Sequence, residues 1–286
     1  MSPRPAHPTQ KALEDFTVPR LRELAKRIAS LALASNVRLR IRRSGILHAG
    51  CRIVLNLHGL MVPSDAVGSR RDLLPAFRFE ELLVYLKQNF SLCTFRTAQF
   101  DRSLGPPLII SFDDGYKDFQ DLAVPILRRH GVRCNQNIIP ACVESGLPPL
   151  NVLIQDFVAQ APETLLKEFF VPGYSSDLRD PRAGMLLSRH VKNRPAAEQA
   201  AIAELVLPQM FRWDRFRPTR MMDLADVQQI ASEHEIGAHS YSHATMSYES
   251  QEYFEDDVRR CSEYFRSKLN LPLDIYAFPN GSHTTQ

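Results

Sequence analysis

No run of the chain is apolar for the roughly 18 residues a membrane span requires, and no two cysteines are spaced as CxxC. The start, MSPRPAHPTQKALEDF, lacks a basic region followed by an apolar stretch. These absences argue against a transmembrane helix, a thiolate zinc site and a secretory signal. Cys51, Cys93, Cys134, Cys142 and Cys261 are odd in number and scattered, so no disulfide framework is expected, and Cys134 and Cys142 read as small core residues. A reducing, cytoplasmic setting is the expectation. Net charge is also small: 35 Lys and Arg face 32 acids, a net of +3. That balance, with no strand or helix interleaving basic and aromatic residues, argues against nucleic acid as a partner.

What is present is an ordinary globular composition, 286 residues of which 44% are hydrophobic, enough for one large domain or two modest ones. Residues 1–49 stand apart. A Pro-rich polar start is followed between Pro19 and Arg43 by eight basic residues against one acid, Glu23, with Leu21, Leu24, Ile28 and Leu31 at helical spacing. Such a basic amphipathic helix packs on a domain with its charges solvated, or makes peripheral contact with an anionic membrane through residues 19–43.

From residue 50 onward short apolar runs alternate with helical patterns. Ile53-Val54-Leu55-Asn56-Leu57 reads as a buried strand ending in His58-Gly59, and Phe79–Asn89 as a helix. Pro107–Phe112 reads as the next strand, followed by a helix from about Tyr116 to His130 closed by Gly131. Val132–Ile139 is a weaker strand. Residues 147–218 break the rhythm with helical stretches at Val152–Phe170, interrupted at Pro162, and Ala196–Met210, an insertion over the mouth of the domain. A helix at Asp223–Glu233, a strand at Glu235–Ala238, a helix at Glu252–Lys268 and a strand at Asp274–Phe278 complete it. This order predicts an α/β fold with parallel strands and a site at their carboxyl ends.

Two motifs fall at such strand ends. Ser111-Phe112-Asp113-Asp114-Gly115 places adjacent carboxylates at the mouth of a buried strand, where a cation or a proton must offset their repulsion. The other reading is a helix cap with a glycine turn. His239-Ser240-Tyr241-Ser242-His243 sets two imidazoles at i and i+4, as on one face of a helical turn, a metal-ligand pair or a surface pair. One Asp with two His leaves coordination positions open for water and substrate, the pattern of a catalytic metal site. A spare carboxylate can then take a proton from the water.

The strings SFDDGYKDFQDLAVPILRRHGV, EIGAHSYSHATM and YAFPNG resemble the NodB-homology polysaccharide deacetylases, carbohydrate esterase family 4, from about Ile53 to Gly281 with LNLHGL as the first strand. The resemblance implies a distorted (β/α) barrel and hydrolysis of the N-acetyl group of an N-acetylglucosamine-like sugar. By position, Asp113 corresponds to the general base, and Asp114, His239 and His243 to ligands of a divalent metal: zinc, with cobalt, nickel or iron as alternatives. Asn280 corresponds to the backbone oxyanion donor, while Tyr116, Pro279 and His58 are candidates for substrate binding.

Two departures accompany the resemblance. The third motif, Ala277-Phe278-Pro279-Asn280-Gly281, lacks the family's arginine, which would orient the base. The chain reaches Gln286 without the family's late Leu-x-His, whose histidine protonates the departing amine, so the expectation is a chain truncated at its carboxyl end. His283, near the terminus, is a poor substitute. Trp213 fits stacking on a sugar or, better, packing in the insertion. Competing functions are a metal- or sugar-binding remnant without turnover, and a deformylase or deacylase of a lipid-linked amino sugar.

Overall fold

The structure, a computed structural model, describes residues 53–62, 73–97, 106–180 and 182–281. The basic stretch 19–43 and His283 lie outside them.

The described residues include seven strands: β1 (Ile53–Leu57), β2 (Leu60–Met61), β3 (Leu74–Pro75), β4 (Ser91–Cys93), β5 (Pro107–Phe112), β6 (Asn135–Ile138) and β7 (Glu235–Ala238). β2 and β3 form a small parallel pair; the other five make one parallel sheet. β5 is its axis. Its apolar run PLIISF is buried from Leu108 onward, as a strand covered on both faces must be. One edge of β5 pairs with all of β1, from Ile53 opposite Leu108 to Leu57 opposite Phe112. The other edge is divided between β4, which pairs with Pro107–Ile109, and β6, which pairs with Ser111–Phe112. β7 continues the sheet beyond β6.

Among the described residues this path is open, running from β1 to β7 rather than closing on itself. The strand expected at Asp274–Phe278 is reduced to one parallel bridge, Tyr276 with Ala238. Pro272 and Pro279 flank it and contribute no N–H to a longer ladder.

Helices cover the sheet. α1 (Ala76–Asn89) buries Phe79, Leu83 and Leu86, the inner stripe of its 3.6-residue repeat. A π-turn at Phe119–Ala123 runs into α2 (Val124–His130), which ends on Gly131 in the left-handed conformation. Phe112 on β5 meets Phe79 and Phe119 edge-on, with ring centroids at 5.6 and 5.1 Å. The short α3 (Pro140–Ser145) follows β6.

The insertion has a core of its own. α4 (Leu150–Gln160), α5 (Glu163–Glu168), α6 (Ala183–Lys192) and α7 (Ala196–Phe211) enclose Leu153, Phe157, Leu187, Val191, Val206 and Met210. Trp213 packs against this cluster, edge-on to Phe157 at 6.2 Å, so its role is packing. α8 (Leu224–Ala231) opens on a capping box between Asp223 and Asp226, and α9 (Gln251–Tyr264) starts at a Ser250 cap. No helix among the described residues is long and apolar enough to cross a membrane.

Candidate metal centre and its base

Because the strands of the main sheet are parallel, the residues that follow β1, β5 and β7 emerge at one edge. They are His58, then Asp113 and Asp114, then His239. Asp114 turns back at a φ of 75°, a left-handed conformation that aspartate tolerates better than most side chains. The helical stretch after it begins at Lys117, two residues beyond Gly115. Its π segment, Phe119–Ala123, receives no side-chain cap, and the Asp113 oxygens accept from asparagine amides instead, so the capping alternative falls away.

The histidine pair reaches the same point by a different backbone from the one its spacing suggests. Residues 239–243 form a loop with left-handed Ser240 and His243, at φ 59° and 65°, not a helical turn. His239 Nε2 and His243 Nε2 each lie 3.5 Å from Asp114 Oδ1, and the imidazole centroids are 5.2 Å apart. All three ligand atoms fall within 4.8 Å of one another, and all three residues are buried.

This donor set fits a divalent cation. Asp114 Oδ1 is buried without a well-formed hydrogen bond, since the imidazole nitrogens at 3.5 Å are at the outer limit for one. An acceptor left in that state between two ring nitrogens has the environment of a ligand atom. Burial pushes the Asp114 carboxyl up, but a contact from His243 and the fields of His58, His243 and His239 outweigh it and hold the group ionised well below the usual range. Burial pushes His243 down, favouring the neutral imidazole that a metal binds. His239 Nδ1 lies 2.9 Å from the Ala277 carbonyl; donating its proton there leaves Nε2 free as a ligand.

Asp113 is also buried, 5% exposed, but outside the cluster. Its Oδ2 accepts from Asn56 Nδ2 and its Oδ1 from Asn137 Nδ2, both at 2.7 Å. Tyr116 is buried among Ile139, Cys142 and Met221; burial, then the charge of Asp114, push its phenol well up and keep it protonated. His58 is exposed at the end of β1. Pro279 is buried. Asn280 is left-handed at φ 59° and is tied through Nδ2 to Thr245 Oγ1 at 2.8 Å.

Support for the site comes from residues no motif singled out. Asp257 on α9 is 2% exposed and accepts from Ser240 Oγ at 2.9 Å, Tyr241 N at 3.0 Å and Tyr276 Oη at 2.7 Å. It thereby joins the histidine loop to the segment carrying Ala277. Asp118 Oδ1 accepts from Leu60 N at 3.0 Å, which holds the turn after His58. A Cβ on Gly59 would stand 2.7 Å from that oxygen. An acid on the apolar stripe of a helix, as Asp257 is between Phe254 and Cys261, was the available signal.

The model of the polysaccharide deacetylase family matches residues 208–286, a stretch that holds His239, His243 and Asp257 but not Asp113 or Asp114. No curated protein matches the chain by sequence. Among solved structures, the Streptococcus pyogenes deacetylase PplD, in complex with acetate, is similar at 12% identity, covering 81% of this chain and 75% of its own with a TM-score of 0.48. IcaB from Ammonifex degensii is similar at 16% identity, with coverages of 82% and 76% and a TM-score of 0.47. A de-N-acetylase from Aggregatibacter actinomycetemcomitans stands at 11%, with coverages of 82% and 81% and a TM-score of 0.46.

Proposed function

We propose that this chain, which carries a polysaccharide deacetylase domain over residues 208–286, is a metal-dependent hydrolase that removes the N-acetyl group from an N-acetylated sugar of a surface polysaccharide or its precursor. The observation that carries this reading is the buried, unpartnered Asp114 Oδ1 facing two imidazole nitrogens, with a second carboxylate next to it in the chain. Asp114, His239 and His243 would hold the ion. Zinc suits one carboxylate and two imidazoles with open positions remaining, and cobalt, nickel and iron accept the same donors. A divalent ion bound there supplies Lewis acidity toward the acyl carbonyl and lowers the pKa of a water.

The remaining work falls to the protein. Asp113 accepts a proton from the attacking water at a carboxylate oxygen whose direction is set by hydrogen bonds. The backbone N–H of Asn280 donates to the oxygen that gains charge, since a main-chain donor serves whatever the side chain is. Tyr116, Pro279 and His58 shape the place where the sugar lies. The test is acetate release from N-acetylglucosamine oligomers by zinc-loaded protein and by Asp113→Asn at equal metal content. Turnover lost in the variant supports the assignment. Undiminished turnover removes Asp113 as the base, and bound zinc with no turnover in either protein favours a remnant.

A further inference from the structure

We infer that Asn56 and Asn137 are positioning residues that aim the Asp113 carboxylate, an office the third motif's missing arginine leaves open. The inference rests on the deacetylase reading and concerns residues that no motif marks.

Asp113 has its two carboxylate oxygens bound separately. Asn56, on β1, takes Oδ2, and Asn137, on β6, takes Oδ1, each through an amide N–H at 2.7 Å. These strands lie on opposite edges of β5, so the carboxylate at its end is gripped from both sides. A group bound at both oxygens from two rigid strands loses its freedom to rotate about χ2, and each oxygen keeps a lone pair for a proton.

The amide orientations are determined rather than free. Asn137 Oδ1 accepts from Asn135 Nδ2 at 2.8 Å, so its NH2 must face Asp113. Asn135 Nδ2 and Asn137 Nδ2 both also approach Ser111 Oγ, at 3.0 and 3.2 Å. Turning Asn56 over would set its oxygen against a carboxylate oxygen. Room for this arrangement comes from Gly237 on β7, where a Cβ would stand 2.2 Å from Asn137 Oδ1. A buried row of Ser111, Asn135 and Asn137 is costly inside a parallel sheet unless it serves a polar partner, and the charged partner at its end is Asp113.

The experiment measures acetate release from N-acetylglucosamine pentamer by zinc-loaded wild type, Asn56→Ala, Asn137→Ala and Asp113→Asn. Zinc content and the absorption spectrum of the cobalt-loaded forms are recorded alongside. Each Asn variant is expected to lose about tenfold in kcat, the scale of one hydrogen bond to a charged group, with KM held within about twofold. Zinc stoichiometry and the cobalt spectrum stay as in wild type, because the ligands are untouched. Asn56 is only half-buried, so Asn56→Ala decides the matter if Asn137→Ala does not fold. Wild-type kcat in a folded Asn variant, or loss of zinc along with kcat, overturns the positioning role while leaving the deacetylase reading intact. Absence of turnover in wild type overturns that reading and this inference together.

Discussion

Replacing Asp257 tests how the candidate metal centre is held. In Asp257→Ala, the Ser240 hydroxyl, the Tyr241 amide and the Tyr276 phenol lose their acceptor in a site only 2% exposed. The Tyr276 phenol is pushed far up by burial and then by Asp257, so it remains a donor in search of a partner. A buried donor stripped of its acceptor costs about 1–3 kcal/mol, and with some relaxation the three together should cost about 3–5 kcal/mol. Asp257→Asn keeps the volume and one oxygen but gives up the charge, for a loss of about 1.5–3 kcal/mol. Urea unfolding at pH 7 measures this, with Asp256→Asn as a control. Asp256 is exposed and pairs with Arg259, so its loss should stay within about 0.5 kcal/mol. Zinc competition against a chelator should show about tenfold weaker binding in Asp257→Asn, because Ser240 and Tyr241 lie between the two histidines. Asp257 variants with wild-type stability and zinc affinity would refute this account of the loop.

Three further outcomes are expected. Burial holds the His234 imidazole down to about 4, whereas the unfolded residue titrates near 6.5, so between those values only the unfolded chain binds the proton and stability falls as pH drops. Urea unfolding at pH 7 and pH 5 should differ by about 2 kcal/mol at this group, and the difference should vanish in His234→Gln. Phe112→Ala, which empties the ring position between Phe79 and Phe119, should cost about 3–5 kcal/mol in the same assay. Gly237→Ala places a Cβ 2.2 Å from Asn137 Oδ1 and 2.8 Å from Ile275 Cγ2; it should cost about 1–3 kcal/mol and lower acetate release, read by unfolding and turnover together.

The strands and helices that carry the site were legible in the sequence because their apolar periodicity is strong: PLIISF can hardly be other than a buried strand, and FEELLVYLKQN shows its helical stripe. Asp114, His239 and His243 were legible as a set because short motifs concentrate them. The conformation that unites them was not, since HSYSH at i and i+4 suits a helix as well as a loop, and the loop is held at Ser240 and Tyr241 by Asp257, which lies further along the chain. Asn56 and Asn137 were hidden for a related reason. A lone polar residue in IVLNL or NQNI carries no partner's name, and only strand register brings both to Asp113. The strand expected at Asp274–Phe278 failed because periodicity does not weigh prolines on either side of it.

The most direct measurement is acetate release from N-acetylglucosamine pentamer as zinc is titrated into chelator-treated protein, with Asp114→Ala in parallel. The account predicts no turnover before zinc, a rise that saturates at one zinc per chain, and no rise in Asp114→Ala. Full turnover in the metal-free protein, or zinc-dependent turnover that survives Asp114→Ala, would contradict it.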